Sequence, residues 1–303
     1  MIPASPGLKI CPSRQRGQSP RMIASMLTPL AYAGARRWLT SLRSIRSIRA
    51  VSNSQTPEVN TMPDLNELRR QVALSCRMLG RLNLTREPAG HVSARIPEGD
   101  LVLIKGRGPD EAPLSYTRPE DLIVVDMAGK MVEGRDGLAA PNEVFIHTWL
   151  YRLRADVNSV IHVHPPTIVA FTIAGRDLVP CVGAYSPAAL SFALEEVPTF
   201  DSGVLINSEE RGEALAKTVG EGRACLMRGH GIAAAGSTVE EATLTTINLN
   251  ELAEINYKAA LLGEVRPLPD ADLAEFRRSG PRRPAGPRPP SSEWRYYEKL
   301  IEG

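Results

Sequence analysis

Ile161-His162-Val163-His164-Pro165-Pro166 is the stretch on which the reading of this chain turns. Apolar residues alternate with two histidines, and two prolines then stop the run, because proline has no amide to give to a sheet. The segment 160–164 therefore reads as a short buried strand. Alternate residues of a strand share a face, so His162 and His164 point the same way at its tip. Working outward, 101–104 (Leu-Val-Leu-Ile) and 122–125 (Leu-Ile-Val-Val) read as further strands, and Ala128-Gly129 as a tight turn from which Met131-Val132 pairs back. Leu65, Leu68, Val72, Cys76, Leu79 and Leu82 recur at helical spacing over 64–82. Pro141 opens a helical stretch to about residue 153, and 208–219 reads as another helix. Two apolar runs, 224–227 and 232–235, flank a glycine-rich turn. Ser237 with Glu240 predicts a capping box for a long helix that stops at Gly263. Helices and short hairpin strands mix throughout, which predicts one α/β domain over about 62–275.

Composition divides the chain. Residues 1–61 hold nine Lys/Arg against a single acid, Glu58, in phrases such as Ala35-Arg36-Arg37-Trp38. The remainder holds 27 basic and 33 acidic side chains, so the folding part is mildly acidic. The leader over 1–61 reads either as an organellar transit peptide or as a start assigned too far upstream of Met62, and disorder is expected there. Residues 276–303 read as a Pro-rich linker followed by an aromatic tail, Trp294-Arg-Tyr-Tyr297, expected to dock back on the body. Cys11, Cys76, Cys181 and Cys225 are scattered without a C-x-x-C pair, which fits reduced thiols in a cytoplasmic protein. No basic stripe interleaves with aromatics, which argues against a nucleic-acid partner. No apolar run approaches the roughly 20 residues that cross a bilayer, which argues against a membrane span.

All five histidines fall between residues 91 and 230. His162 and His164 gain a third candidate in Arg228-Gly229-His230-Gly231, where flanking glycines let the backbone turn tightly and approach a site closely. Three imidazoles with an open position make a catalytic rather than a structural metal geometry. Histidine serves zinc, manganese and iron alike, so the divalent ion is not chosen by these ligands. Glu143 and His147 lie four apart in a predicted helix and so share a face. His147 reads equally as a helix-surface residue or as part of the site.

Glu143, His162-Val-His164 and Gly-His230-Gly, in this order, resemble the class II aldolase and adducin family over about residues 64–275. The resemblance implies a three-layer α/β/α fold around a largely antiparallel sheet. It implies that His162, His164 and His230 hold one divalent metal, and that Glu143 acts as acid/base. It also implies a homotetramer with sites between subunits, to which Tyr185 of Pro180-Cys-Val-Gly-Ala-Tyr185 would be donated by a neighbour.

The sequence departs from the sugar-phosphate aldolases of that family where they cradle phosphate. Their Gly-Asn-x-Ser is Gly90-His91-Val92-Ser93 here, their Thr-Gly pair is replaced by Lys105-Gly-Arg107-Gly, and Pro141-Asn142 precedes Glu143 in place of Ser-Ser. Small hydroxyl donors give way to cations, which suits a planar carboxylate gripped by Arg107 with Lys105 adding charge; a solvated loop is the competing reading of both. The set His91-Val-Ser93, Lys105, Pro141-Asn-Glu143-Val-Phe-Ile-His147 and His162-Val-His164-Pro-Pro resembles decarboxylases of hydroxylated aromatic dicarboxylates. That subset implies a lyase acting on an aromatic carboxylate such as dihydroxyphthalate. His91, Ser93, Lys105 and Arg107 would bind the substrate, Glu143 would transfer the proton, and His147 would assist. The terminal aromatics fit a cover facing such a ring. Three other readings stay open: a retro-aldolase on a non-phosphorylated hydroxy-keto acid, a mononuclear iron oxygenase of hydroxybenzoates, and a non-catalytic interaction protein.

Overall fold

The computed structural model describes residues 64–97, 99–181, 187–279 and 290–302. The expected leader, Tyr185 and residues 280–289 of the expected linker lie outside these.

Among the described residues, eight strands build one sheet: β1 (His91–Arg95), β2 (Leu101–Lys105), β3 (Leu122–Asp126), β4 (Met131–Glu133), β5 (Ser159–Val163), β6 (Thr199–Phe200), β7 (Ala224–Met227) and β8 (Gly231–Gly236). Their order is β4-β3-β2-β1-β5-β8-β7-β6. All neighbours run antiparallel except the edge pair β6 and β7. Helices cover both faces. Val92, Leu103, Val124, Ile161 and Ile232 pack against α1 (Leu65–Arg81) and α6 (Val239–Leu262). Ile104, Ile123, Val160 and Ala233 pack on the other side, against α2 (Val144–Leu153) and α5 (Glu209–Val219). The predicted three-layer α/β/α architecture is therefore present.

Coverage on both faces explains why the strands read as apolar runs rather than alternating ones, although antiparallel sheets often leave one face wet. It also explains why β1 escapes a hydrophobicity reading. His-Val-Ser-Ala-Arg carries polar residues on one face, yet the strand is central, between β2 and β5. The helices α3 (Pro166–Ala174), α4 (Pro187–Glu195) and α7 (Asp270–Ser279) were not expected either; α3, Pro-Thr-Ile-Val-Ala-Phe-Thr-Ile-Ala, has apolar residues all round and so shows no helical stripe.

Two local expectations are corrected. The long helix is capped by Thr238, whose hydroxyl accepts from the Glu241 amide at 3.0 Å, one position after the expected Ser237–Glu240 box. Ser237 contributes from outside, its amide and hydroxyl both donating to the Glu241 carboxylate. The strand carrying the histidines ends at Val163, so His164 sits just beyond it, before the prolines.

The C-terminal α8 (Ser292–Glu302) docks on the α1 and α6 layer. Trp294 is 3% exposed there and Tyr297 packs against the same core, so the tail docks back on the body. The Arg70–Glu298 ion pair at 3.4 Å lies in solvent and contributes ~0–1 kcal/mol. Burial of a large aromatic outweighs it at ~1.5–3 kcal/mol. Trp294→Ala is expected to destabilise the chain by about 3 kcal/mol; urea unfolding measures this, and a loss below about 1 kcal/mol would show that α8 is not part of the cooperative fold.

Candidate metal centre

His162 is the fourth residue of β5 and shares the α2-facing side with Val160. His164 follows the strand end. His230 arrives from the β7–β8 turn, where two glycines do different work. Gly229 adopts φ +61°, a left-handed conformation that side chains disfavour. Gly231 lies so close to β5 that a Cβ there would stand 2.2 Å from the Val163 carbonyl oxygen. The turn is thereby pressed onto the end of β5, and His230 is delivered beside His164, with ring centroids 5.0 Å apart. Glu143 occupies the N-cap of α2, but its side chain does not cap the helix. One carboxylate oxygen, Oε1, accepts the Ile206 amide at 2.9 Å. The other, Oε2, stands 3.4 Å from both His162 Nε2 and His230 Nε2.

The donor set fits a metal ion. One ligand atom each from Glu143, His162, His164 and His230 lies within 4.8 Å of all the others. Metal bonds of ~2.1 Å at tetrahedral angles give ligand–ligand separations of ~3.4 Å, which is the spacing found from Glu143 to two of the rings. The His162 tautomer is fixed from behind. Its Nδ1 lies 2.9 Å from the Ile232 carbonyl, which can only accept, so Nδ1 carries the hydrogen and Nε2 turns a lone pair to the cluster. His164 Nε2 lies 2.9 Å from that same atom. Burial, then the neighbouring His162 and His230, push the His164 pKa down to about 3, so this ring is held neutral. Burial alone would raise the Glu143 carboxyl. The His162 and His230 rings and the Ile206 amide outweigh it and hold Glu143 well below the usual carboxylate range. Three imidazoles converging with a buried carboxylate describe a cation site.

Other predicted site residues divide into those near this cluster and those apart from it. His91 is the direct cross-strand partner of His162, and their rings stack with centroids 5.8 Å apart. Arg107 follows β2, and its guanidinium donates to Asn142 Oδ1, one residue from Glu143. Lys105 is not brought to the cluster. It shares the α1-facing side of β2 with Leu103, is 1% exposed, and directs Nζ to the Pro88 and Gly106 carbonyls at 3.3 Å. Glu111 stands 3.9 Å away. Ser93 and His147 are fully buried, joined by Ser93 Oγ to His147 Nδ1 at 2.7 Å. Tyr151 closes this group, its hydroxyl 2.7 Å from Ser93 Oγ. The sequence held a signal for Tyr151, since residues 143, 147 and 151 follow the i, i+4, i+8 spacing of one helix face. The Ile206 amide and Asn142 carried no comparable signal.

Comparison with known proteins agrees with this arrangement. The sequence model of the class II aldolase and adducin N-terminal domain matches residues 70–257. The chain is 37% identical over 212 residues to 3,4-dihydroxyphthalate decarboxylase of Arthrobacter keyseri, covering 69% of this chain and 85% of the relative. It is 35% identical over 216 residues to the protein of the same name from a Terrabacter species, covering 70% and 90%. Among solved structures, an aldolase II superfamily protein from Pseudomonas syringae superposes with a TM-score of 0.69 at 23% identity, covering 80% of this chain and 94% of that one, a likeness of fold. No helix among the described residues is long and apolar enough to cross a membrane.

The histidines make stability depend on pH in a definite direction. Burial, then the neighbouring His162, lowers the His147 pKa from 6.5 to about 3, and burial lowers His91 well below 6.5. Between about 6.5 and 3 the unfolded chain binds protons on these rings that the folded chain refuses, so stability rises with pH across that window and is lost on acidification. The urea midpoint is expected to fall between about pH 7 and about pH 5; a midpoint that stays level would contradict the assignment of these rings as neutral.

Proposed function

This chain belongs to the class II aldolase and adducin family, a carbon–carbon lyase like its decarboxylase and aldolase relatives, and from that premise we propose that it removes one carboxylate, as CO2, from a hydroxylated aromatic dicarboxylate such as dihydroxyphthalate. The observation that carries the proposal is the Arg107 guanidinium, which donates to Asn142, the residue next to Glu143 of the three-histidine cluster. A guanidinium offers two parallel donors to a planar carboxylate. The relatives named 3,4-dihydroxyphthalate decarboxylase support the same substrate class.

In this reading His162, His164 and His230 hold one divalent cation, which when bound supplies Lewis-acid stabilisation of negative charge developing on a substrate oxygen as the carbon–carbon bond breaks. Arg107 grips the carboxylate that remains and so orients the ring. Glu143 carries the proton. Its Oε1 is committed to the Ile206 amide, which leaves Oε2 to act. Because neighbouring groups keep this carboxyl ionised, it begins as a base. It takes the proton of the substrate hydroxyl next to the leaving carboxylate and delivers that proton to the carbon from which CO2 departs. The bonding electrons pass into the ring, and one solvent proton restores the hydroxyl. His91 stands beside His162, its ring stacked on the His162 ring. The chain is further proposed to assemble as a homotetramer with its sites between subunits.

Metal-reconstituted protein incubated with dihydroxyphthalates is expected to release CO2 equally with and without oxygen. His164→Ala is expected to abolish release and Glu143→Gln to lower kcat by at least 100-fold, the scale of general acid–base catalysis. Release that requires oxygen would move the assignment to an iron oxygenase. No release from folded, metal-loaded protein would reject the aromatic substrate in favour of a hydroxy-keto acid. Arg107→Ala should act mainly on KM, raising it roughly tenfold to 100-fold, the worth of a charge-assisted hydrogen bond; an unchanged KM would remove Arg107 from substrate recognition.

A further inference from the structure

Behind the metal cluster, on the α2-facing side of the sheet, lies a buried polar chain that metal binding does not require. Ser93 Oγ is its centre, 2.7 Å from His147 Nδ1, 2.7 Å from the Tyr151 hydroxyl and 3.3 Å from the Val160 carbonyl oxygen. All three side chains are sealed, with Ser93 and His147 at 0% and Tyr151 at 2% exposure. His91 Nδ1 and His147 Nε2 are buried nitrogens with no hydrogen-bond partner. Their rings meet edge to face with centroids 5.8 Å apart. Each is the buried nitrogen that can answer the other across this contact, and an imidazole χ2 well is broad. A buried nitrogen left unanswered costs ~1–3 kcal/mol, which favours their pairing.

We propose that Tyr151, Ser93 and His147 form a positioning chain that sets the ring orientation and tautomer of His91, so that His91 presents a bare Nε2 as a hydrogen-bond acceptor beside the cluster; this rests on the reading of the cluster as the catalytic site. Counting hydrogens gives the direction. The Val160 carbonyl only accepts, so it takes the single Ser93 hydroxyl hydrogen. Ser93 Oγ then uses its two lone pairs to accept from Tyr151 and from His147 Nδ1–H. That arrangement uses all three contacts of Ser93, whereas donation to His147 would leave the carbonyl contact without a hydrogen. A neutral His147 with its hydrogen on Nδ1 has a bare Nε2. It accepts from His91 Nδ1–H, and His91 Nε2 is left bare. The far end is closed. The Tyr151 hydroxyl is buried, its ring lies 4.9 Å beneath the Arg95 guanidinium, and burial pushes its pKa up. The chain therefore holds a tautomer and gives a proton no exit. An acceptor beside the cluster selects a substrate with a hydroxyl to donate, which a dihydroxylated ring supplies.

The test is made on the full-length protein loaded with zinc and labelled with 15N-histidine. Two-bond 15N–1H correlations report which ring nitrogen bears the hydrogen, independently of turnover. Both His91 and His147 are expected to carry it on Nδ1; an Nε2–H form of either would overturn the proposal. Ser93→Ala, which removes the acceptor of His147 Nδ1–H, is expected to mix the His91 tautomers and lower kcat/KM roughly tenfold, the scale of one hydrogen bond, with one zinc per chain unchanged. Unaltered tautomers and kcat/KM in a folded Ser93→Ala would also overturn it. Ser93→Thr, which keeps the hydroxyl, should retain the wild-type tautomers where Ser93→Ala loses them; equal loss in both would point to packing alone. If wild type turns over no aromatic substrate, the functional reading fails, and the tautomer spectra still decide the chain.

Discussion

The pairing of β5 with β8 is the constraint on which the site depends. Val163 lies opposite Ile232 and His162 opposite Ala233. Residues alternate between faces with a period of two, so a slip of one residue would send His162 into the α1-facing layer and separate it from Glu143. Two close approaches guard that register. Gly231 rests against the Val163 carbonyl oxygen, where any side chain would push the strands apart. The Ile232 carbonyl accepts the His162 Nδ1 hydrogen, so the same backbone pairing that orders the sheet also orients a candidate metal ligand. Fold and coordination chemistry are thus one set of hydrogen bonds.

That coupling governs what could be read from the amino-acid sequence. The His-Val-His strand was legible because period-two alternation, apolar spacers and a Pro-Pro stop coincide. His230 was legible through its glycines, whose backbone demands leave a trace in composition. The central strand β1 was not legible as a strand, since its apolar positions number too few to show a pattern and its polar ones serve the interior. Lys105 shows the opposite failure. Beside Arg107 it resembled half of a cationic clamp, but β2 ends at Lys105, which puts the two on different footings. Lys105 falls on a sheet face closed by α1 and is bonded to backbone carbonyls. Arg107 stands past the strand end, where the guanidinium is free to turn toward Asn142. Sequence adjacency gave no warning of this, because the boundary of a strand decides it.

The interior behind the cluster holds more polar atoms than a core ordinarily tolerates. Ser93, His147 and Tyr151 each have a hydrogen-bonding partner within the group, which makes their burial tolerable. His91 sits between this group and the metal ligands, with its backbone paired to His162 and its ring stacked on the His162 ring. In the proposed reading a second layer of this kind would fix the first, since metal-ligating and substrate-facing rings must hold their orientation when charge develops nearby.

Centre and rim then answer different questions. The centre of three imidazoles and one buried carboxylate is suited to holding a cation, which would stabilise a carbanion, and breaking a carbon–carbon bond toward either an aldehyde or CO2 leaves such a carbanion. Nothing in that centre distinguishes the two reactions. The distinction falls to the rim, where a sugar-phosphate aldolase needs small hydroxyl and amide donors around a tetrahedral anion. This chain instead offers Arg107 beside Asn142 and an imidazole at position 91. A fork-shaped cation and flat rings complement a flat, carboxylated molecule in shape as well as charge. In the proposed reading, a change of reaction within this fold would leave the three histidines in place and fall on the side chains that meet the part of the substrate that does not react.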